Sequence, residues 1–277
     1  MLKIEVYQDF YKPWNEKNLP KNKAFIQALV TDNPYISKHY VDNLRQIKDK
    51  ALKERLLVGN WQYDDDPNAL IEYDAILDSF QNEHIKIDKA NRFITADIAM
   101  RGSDKFVLIV WNGWAAIDKV ILDKTGGKEV IEAIEKLRIK HQVRPSNITY
   151  DADGVGAFIG GQGGFIKRAI PFVNGSRPLL YKGSVEKYEN LKTQCYYHLA
   201  EKISDGEIWL KCFNDEHKEP LVSELEQVKS RDIDNDNVMR LMKKEDVKKI
   251  LGRSPDLADA LMMRIRFELG KSLPQML

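Results

Sequence analysis

The chain has 277 residues, of which 43% are hydrophobic and 31% are charged, so it can bury a large core and is expected to form one full domain with a smaller additional piece. Its net charge of +1 excludes a uniformly basic coat for nucleic acid. Residues 1–9 mix charged and apolar side chains, which argues against a secretory signal, and no apolar run is long enough to span a bilayer. We therefore expect a cytoplasmic protein that is not secreted and has no membrane partner.

Residues 1–88 carry helical patterns but no complete sheet. One helix is predicted after Ser37, a plausible N-cap, and another is predicted over residues 69–80. We interpret residues 1–88 as an N-terminal helical linker appendage and residues 89–277 as a separate domain.

From Arg92 onward the pattern becomes rich in strands. Three apolar runs separated by turn residues predict an antiparallel meander over residues 93–98, 106–111 and 115–122. A helix through Val130 and Leu137 then leads to a fourth strand, Ile148–Asp151. This order predicts an α/β fold of the RNase H-like class, a mixed central sheet of three antiparallel strands followed by parallel strands, flanked by helices. The crossover helix should lay the fourth strand parallel to the first.

Four aspartates are candidate metal ligands in this topology. Asp97 ends the first strand and Asp151 ends the fourth, so the two should be neighbours. Asp256 and Asp259 stand three residues apart, on one face of a helix that is predicted to start after Pro255. Adjacent carboxylates repel one another unless a hard cation neutralises them, and oxygen ligands favour magnesium or manganese over zinc. The sequence therefore predicts a centre for two ions, Mg²⁺ or Mn²⁺.

Several segments of the chain resemble one protein family. Three acidic segments are similar to the acidic motifs of the large terminase subunit of tailed bacteriophages: Thr95-Ala96-Asp97, Thr149-Tyr150-Asp151-Ala152-Asp153-Gly154-Val155-Gly156 and Ser254-Pro255-Asp256-Leu257-Ala258-Asp259-Ala260-Leu261. A further region, Asp32-Asn33-Pro34-Tyr35 followed by Lys53-Glu54-Arg55-Leu56-Leu57 and Gly59-Asn60-Trp61, resembles the region that leads from a terminase ATPase domain into its nuclease domain. The resemblance covers nearly the whole chain. The segments that resemble the region between the two domains distinguish better between families, because Holliday-junction resolvases share the acidic motifs.

The resemblance implies a nuclease that cuts concatemeric double-stranded viral DNA during genome packaging. The implied partners are double-stranded DNA, the portal of a procapsid and the small terminase subunit, and the implied location is the host cytoplasm at the portal vertex. Residues 1–88 would be the end of an ATPase domain with its linker, and residues 89–277 the nuclease domain. The chain contains no Gly-x-x-x-x-Gly-Lys-Ser/Thr phosphate loop, so we expect no ATPase activity from it and interpret it as the nuclease portion of a larger polypeptide.

The four aspartates are expected to be both metal ligands and catalytic residues. Asp97 would bridge two ions on the order of 4 Å apart. Asp151 would complete one coordination shell, and Asp259, together with Asp256, the other; the resemblance makes Asp259 the first choice of this pair. Asp256 is open to a role as a helix cap, because acidic residues are common at helix starts. Asp153 either orients the ligands or, in the interpretation we prefer, forms a turn.

Basic residues that precede the last acidic motif are candidates for contacts with DNA phosphates. They are Lys243, Lys244, Lys248, Lys249 and Arg253. A second basic stretch, residues 167–192, is the next candidate, and an ordinary solvated surface is an equal alternative for either stretch. Phosphate contacts carry little sequence information, so nearly sequence-independent cleavage is predicted.

Other functions stay open on this pattern. A Holliday-junction resolvase or a transposase would use the same carboxylates on a branched or end-specific substrate. A non-catalytic module that clamps DNA or docks on the portal would bind without metal-dependent cutting. An actin-like ATPase is disfavoured, because the residues after Asp97 lack the glycine that lets a backbone approach a phosphate.

Overall fold

The computed structural model describes residues 7–37, 40–41, 57, 59, 68–87, 91–98, 105–123, 126–153, 159–160, 164–231 and 237–270. The chain divides into two compact units, Met1–Pro67 and Asn68–Leu277. Within the described residues, no helix combines the length and the apolar composition that a membrane span requires.

The first unit, Met1–Pro67, contains short helical segments. They are a π-helical turn (Tyr7–Tyr11), helix α1 (Lys12–Asn15) and a 3₁₀ turn (Val30–Asp32). The Phe25 ring packs against the rings of Tyr11 and Trp14, with centroid separations of 5.5 and 5.2 Å. The Ser37 hydroxyl oxygen accepts a hydrogen bond from the Tyr40 N–H over 3.2 Å, as an N-cap does. Most of the helix predicted there lies outside the described residues, and the assignment of this unit to the end of an ATPase domain stays a prediction.

The second unit, Asn68–Leu277, surrounds one five-stranded sheet with helices. The sheet strands are β1 (Arg92–Asp97), β2 (Phe106–Asn112), β3 (Ala115–Leu122), β4 (Ile148–Asp151) and β5 (Ile170–Phe172). The helices are α2 (Tyr73–Asp78), α3 (Gly127–Lys140), α4 (Leu191–Ser204), α5 (Lys218–Leu225), α6 (Lys244–Leu251) and α7 (Asp256–Met262). Strands β6 (Ser230–Arg231) and β7 (Arg240–Leu241) pair separately, and 3₁₀ turns span Pro145–Asn147, Lys211–Phe213 and Met263–Phe267.

The strand order in the sheet is β3-β2-β1-β4-β5. Strands β1, β2 and β3 are antiparallel, whereas β4 runs parallel to β1, and β5 runs parallel to β4. The predicted meander and crossover are therefore confirmed. The register pairs Ala96 with Tyr150, so Asp97 and Asp151, the next residues along the two strands, lie side by side at the same edge of the sheet.

The domain begins earlier than the sequence pattern indicates. Residues 68–87, which we predicted to belong to the appendage, lie in the second unit, and Ile71, Ile76 and Phe80 are buried in its core. The helix predicted over residues 69–80 is shorter than expected and spans Tyr73–Asp78. It does not include the preceding residues, because Ala69 forms an isolated antiparallel bridge with Lys229 and the Leu70 N–H donates to the Val228 carbonyl.

Side chains alternate across the strands and divide the core into two layers. Ile94 and Ala96 of β1 face the layer that contains α3. Thr95 of β1 faces the opposite layer, where its hydroxyl accepts a hydrogen bond from the Trp111 indole N–H over 3.1 Å, and where α4, α5 and α7 pack. Asp97 lies two residues beyond Thr95, so its carboxylate points towards α7.

Candidate active site

Asp97 is a buried carboxylate at the centre of a group of negative charges. Its residue is 8% exposed, and none of the described residues donates a hydrogen bond to it or forms a salt bridge with it. Burial raises its pKa well above the ordinary value, and the charges of Asp259, Asp151 and Asp256 raise that pKa further, against a smaller opposing effect of Lys244. A cation bound beside Asp97 would therefore favour its ionised form.

Asp259 is held by cationic and hydroxyl groups from two other helices. The Lys192 ammonium lies 2.6 Å from Asp259 Oδ1, and the Tyr196 hydroxyl donates to the same oxygen over 2.6 Å. Lys244 Nζ lies 3.5 Å from Asp259 Oδ2. Burial alone would raise the pKa of Asp259, but the two lysines outweigh that effect and lower the pKa. Both oxygens of this carboxylate thus already face positive charge or a donor.

Asp256 has a different environment from Asp259. It is 4% exposed, and its Oδ2 accepts a hydrogen bond from the Lys105 backbone N–H over 2.7 Å, at the start of β2. Its proposed role as a helix cap does not match this geometry. Pro255 occupies the cap position without a side-chain hydrogen bond, and Asp256 instead ties α7 to the sheet.

The start of α7 is capped by a residue from another helix. Glu224 of α5 accepts a hydrogen bond from the Ala258 N–H over 2.8 Å, and it forms an ion pair with Arg253. The Glu224 side chain is fully buried, and burial raises its pKa to about 7 in spite of the opposing effects of Arg253 and the Ala258 N–H. Glu224 and Arg253 together fix the position from which Asp256 and Asp259 project.

Asp151 is held by backbone and amide donors. Its Oδ1 accepts from the Asp153 N–H over 2.9 Å and from Asn174 Nδ2 over 3.3 Å. Burial raises its pKa, and the charges of Asp153 and Asp259 add to that effect, against the hydrogen bond from Asp153 and the charge of Lys192. The Asp153 side chain accepts a hydrogen bond from Asn174 Nδ2 over 2.8 Å, and the turn that we preferred for Asp153 stays a prediction.

The four aspartates are candidate ligands for a divalent cation. Three or more possible ligand atoms lie within 4.8 Å of one another at one place among the described residues, Asp215, Glu216 and His217, where Asp215 is already paired with Lys119. No three of the four aspartates bring ligand atoms as close together as that in the part of the chain that the structure describes. Their chemistry fits hard divalent cations, because the ligand atoms are oxygens and because the buried Asp97 lacks a counter-charge in direct contact among the described residues.

A cavity of about 550 Å³ reaches this group at Asp151 and Asp259. Its walls include Asp151, Asp259, Asn174, Lys192, Lys244 and Arg231. Asp153, Glu189 and Glu245 line the same cavity, so its walls carry charges of both signs.

The five predicted DNA-binding residues fall into separate groups. Lys243 and Lys244 line the cavity. Lys249 is exposed on α6 and pairs with Asp246 over 2.9 Å, and Lys248 is partly buried on the same helix. Arg253 differs from the other four, because its guanidinium holds Glu224 and donates to the Pro220 carbonyl over 3.0 Å. Arg253 therefore supports α7, a role that the basic pattern of the sequence does not indicate.

Sequence reasoning missed four residues of the site: Lys192 as a partner of Asp259, Tyr196, Asn174 and Glu224. Lys192 and Tyr196 stand four residues apart and so share one face of α4, which is a pattern visible in the sequence. Glu224 is an acidic residue between the apolar Leu221, Val222 and Leu225, and a charge on a buried helix face signals a partner. Asn174 follows a strand too short to recognise from its pattern.

Comparisons with known proteins identify the fold. No protein-family model matches the sequence, and no curated protein matches it. The nuclease domain of the large terminase subunit gp2 of bacterial virus Sf6, in a mutant structure with manganese and beta-thujaplicinol, matches with a TM-score of 0.59 and 21% identity, over 71% of this chain and 98% of that chain. A mutant structure of gp2c from bacteriophage Sf6 with calcium matches with a TM-score of 0.58 and 21% identity over the same shares. The present chain therefore has the RNase H-like fold of terminase nuclease domains, as predicted.

Proposed function

We propose that this chain is a divalent-metal-dependent endonuclease that cuts concatemeric double-stranded viral DNA during genome packaging. The observation that carries the proposal is the position of Asp97 and Asp151 at the ends of two neighbouring parallel strands, with Asp259 and Asp256 on the helix packed above them. The likeness of the fold to terminase nuclease domains supports the proposal. Hydrolysis of a phosphodiester by such a site requires cations to neutralise the carboxylates and the phosphate.

The proposed ligands are Asp97, Asp151 and Asp259, with Asp256 as a further candidate, and the proposed cofactors are two Mg²⁺ or Mn²⁺ ions. When bound, such ions supply Lewis-acid stabilisation of the phosphate and an activated water. Asp97 would be the central ligand of the set, because the charges of the three other aspartates all act on it. Tyr196 would orient Asp259 through its hydrogen bond, because burial and the Asp259 charge raise the pKa of this tyrosine and keep its hydroxyl protonated.

The lysines of the cavity would guide the DNA backbone. Lys244 keeps its charge, because the effects of Asp259, Asp97 and Asp256 outweigh burial and raise its pKa. With a cation on Asp259, the ammonium groups of Lys192 and Lys244 would be available for charge-assisted hydrogen bonds with phosphate oxygens. Lys243, at the mouth of the same cavity, would add a further phosphate contact.

The proposal extends to the packaging machinery. The partners would be double-stranded DNA, the portal of a procapsid and a small terminase subunit, in the cytoplasm of the infected host. The first unit would be the end of an ATPase domain with its linker, and the nuclease would begin at about Asn68. ATP hydrolysis is not expected from this chain, because no phosphate loop of the Walker type occurs in it.

The test is plasmid cleavage by the purified chain. Cutting should require Mn²⁺ or Mg²⁺, stop on addition of a chelator, and disappear in Asp97→Asn. Asp118→Asn is the matched control, because Asp118 lies on β3 and pairs with Lys140 and His141, away from the cavity. Cutting by Asp97→Asn at the wild-type rate would contradict the proposal. A strong preference for four-way junctions over linear duplex would indicate a resolvase, and metal-independent binding without cutting would indicate a docking module.

A further inference from the structure

Asn174 lies just beyond β5, beside the end of β4. The two strands are parallel, Phe172 is paired with Asp151, and the Ala152 N–H donates to the Phe172 carbonyl over 2.8 Å. The Asn174 carbonyl accepts a hydrogen bond from the Lys192 N–H over 3.2 Å, in the first turn of α4. This residue therefore links the end of the sheet that carries Asp151 to the helix that carries Lys192 and Tyr196.

The Asn174 amide connects two carboxylates. Its Nδ2 donates to Asp151 Oδ1 over 3.3 Å and to Asp153 Oδ2 over 2.8 Å. The Asn174 backbone N–H donates to the same Asp153 oxygen over 3.0 Å, so Asp153 fixes both the backbone and the side chain of Asn174. These bonds engage Asp153 with Asn174, so it is not part of the proposed ligand set.

The hydrogen bonds of Asp151 divide its two oxygens. Oδ1 receives two donors, from Asp153 and Asn174, whereas Oδ2 receives none from the described residues. The terminal torsion of an aspartate is broad, and the negative charges of Asp153 and Asp259 repel this carboxylate. A neutral amide can hold Oδ1 without cancelling the charge that a cation needs, which a lysine in the same place would cancel.

We infer that Asn174, fixed by Asp153, is a positioning residue that holds Asp151 so that Oδ2 faces a divalent cation. This inference rests on the proposed function, because it requires Asp151 to be a metal ligand. Residues that orient a metal ligand typically contribute about 10- to 100-fold to metal affinity. The Asn174 side chain donates a hydrogen bond to Asp151 and, among the described residues, to no other proposed ligand.

The test is Mn²⁺ binding by calorimetry, using the full chain and two variants of Asn174. Asn174→Leu keeps the approximate side-chain volume and removes the amide donors. Asn174→Ala removes the amide donors and most of the side-chain volume. Each should weaken Mn²⁺ binding by about 10- to 100-fold. The Mn²⁺ concentration that gives half-maximal DNA cutting should rise by a similar factor, while the affinity for DNA in Ca²⁺ and the unfolding midpoint in chelator should change little. A role in packing alone would move the unfolding midpoint instead.

Asn147→Ala is the matched control. Asn147 also donates a side-chain hydrogen bond, to the Arg92 carbonyl over 2.9 Å, but it lies at the opposite ends of β1 and β4. This control should bind Mn²⁺ as the wild type does. If the Asn174 variants fail to fold, Asp153→Ala tests the same link, because it frees Asn174 while the Asp153 N–H still reaches Asp151; it should weaken Mn²⁺ binding by a smaller factor.

The outcomes separate this inference from the proposed function. Wild-type Mn²⁺ affinity in the folded Asn174 variants, or in Asp153→Ala if those do not fold, would overturn the positioning role and leave the nuclease proposal intact. A wild-type chain that binds no Mn²⁺ would overturn both.

Discussion

The Lys192 ammonium lies 2.6 Å from Oδ1 of Asp259, on the carboxylate that is our first choice of helix-borne metal ligand. A divalent cation that binds Asp259 must therefore compete with a resident positive charge. Lys192 comes from α4 and Asp259 from α7, so this competition depends on how two helices pack, and not on either segment alone.

Replacement of Lys192 by methionine should strengthen metal binding. The substitution removes the competing charge at similar length, and a unit charge within a few ångströms of a partly buried ion is worth on the order of 1–4 kcal/mol. We expect Mn²⁺ to bind at least about tenfold more tightly, as measured by calorimetry. Lys202→Met is the control, because Lys202 lies on the same helix but pairs with Glu207. Weaker Mn²⁺ binding by Lys192→Met would show that Lys192 organises the site instead of competing for it.

Replacement of Asp97 by asparagine should stabilise the metal-free chain. Burial and three neighbouring carboxylates raise the pKa of Asp97, so its ionised form destabilises the fold at neutral pH. In chelator at pH 7, urea denaturation should show Asp97→Asn to be more stable than the wild type. Saturating Mn²⁺ should stabilise the wild type more than the variant.

Asp118→Asn should have the opposite effect on the free energy of unfolding. Although burial acts to raise the pKa of Asp118, its bonds to Lys140 and His141 outweigh this and lower it, so the ionised form is favoured in the fold. This variant should lose stability in chelator. If Asp97→Asn also lost stability there, repulsion among the aspartates would not be the dominant effect at the site.

The sequence predicts the sheet better than it predicts the surroundings of the carboxylates. Alternating apolar residues and turn signals predict β1 to β4, and the crossover rule alone puts Asp97 beside Asp151. The partner of Asp256 could not be predicted, because the Lys105 N–H is 151 residues away in the chain. The three-residue strand β5, which positions Asn174, is too short to show a period.

The prediction of DNA contacts from basic residues alone is limited for a related reason. Arg253 and Lys249 look alike in the sequence, but the Arg253 guanidinium meets the buried Glu224, whereas Lys249 stays exposed on α6. The difference is set by the packing of α5 against α7, which residue type and spacing do not encode.

The two helix-borne aspartates should respond differently to asparagine. Asp256→Asn keeps an oxygen acceptor for the Lys105 N–H, whereas Asp259→Asn removes the charge that faces Lys192 and Lys244. We expect Asp259→Asn to abolish plasmid cutting and Asp256→Asn to retain much of it, with the unfolding midpoint near that of the wild type. Asp256→Ala should in addition cost about 1–3 kcal/mol, because the Lys105 N–H loses its acceptor. Complete loss of cutting in Asp256→Asn would make Asp256 a metal ligand of equal importance.

Glu224 should make the stability of the chain depend on pH. Its pKa is raised by burial to about 7 from an ordinary value of 4.5. The folded state therefore binds a proton more strongly than the unfolded state, and the stability from this group is fully present below pH 4.5 and is lost as pH rises through about 7. Glu224→Gln cannot ionise, so the stability of the wild type relative to this variant should fall by about 3 kcal/mol between pH 4.5 and pH 8.

Urea denaturation in chelator, at several pH values, measures this difference directly. Glu219→Gln is the control, because Glu219 lies on the same helix in its first turn and is not buried. A wild type that gains stability over Glu224→Gln as pH rises would mean that the ion pair with Arg253 outweighs the cost of burial.

The lysines of α6 and its N-terminus provide the last prediction. If Lys243, Lys248 and Lys249 bind phosphates, their replacement by alanine should flatten the dependence of log affinity on log salt by roughly 0.9 for each phosphate that is no longer neutralised, equally for every DNA sequence. Duplex binding is best measured in the Asp97→Asn background, which should not cut. A matched triple of Lys128, Lys136 and Lys140 on α3, on the opposite side of the sheet, should leave the slope unchanged. An unchanged slope in the α6 triple would move the DNA path to Lys192 and the preceding basic stretch.

Arg253→Ala should instead lower the free energy of unfolding, because it leaves the buried Glu224 without its partner.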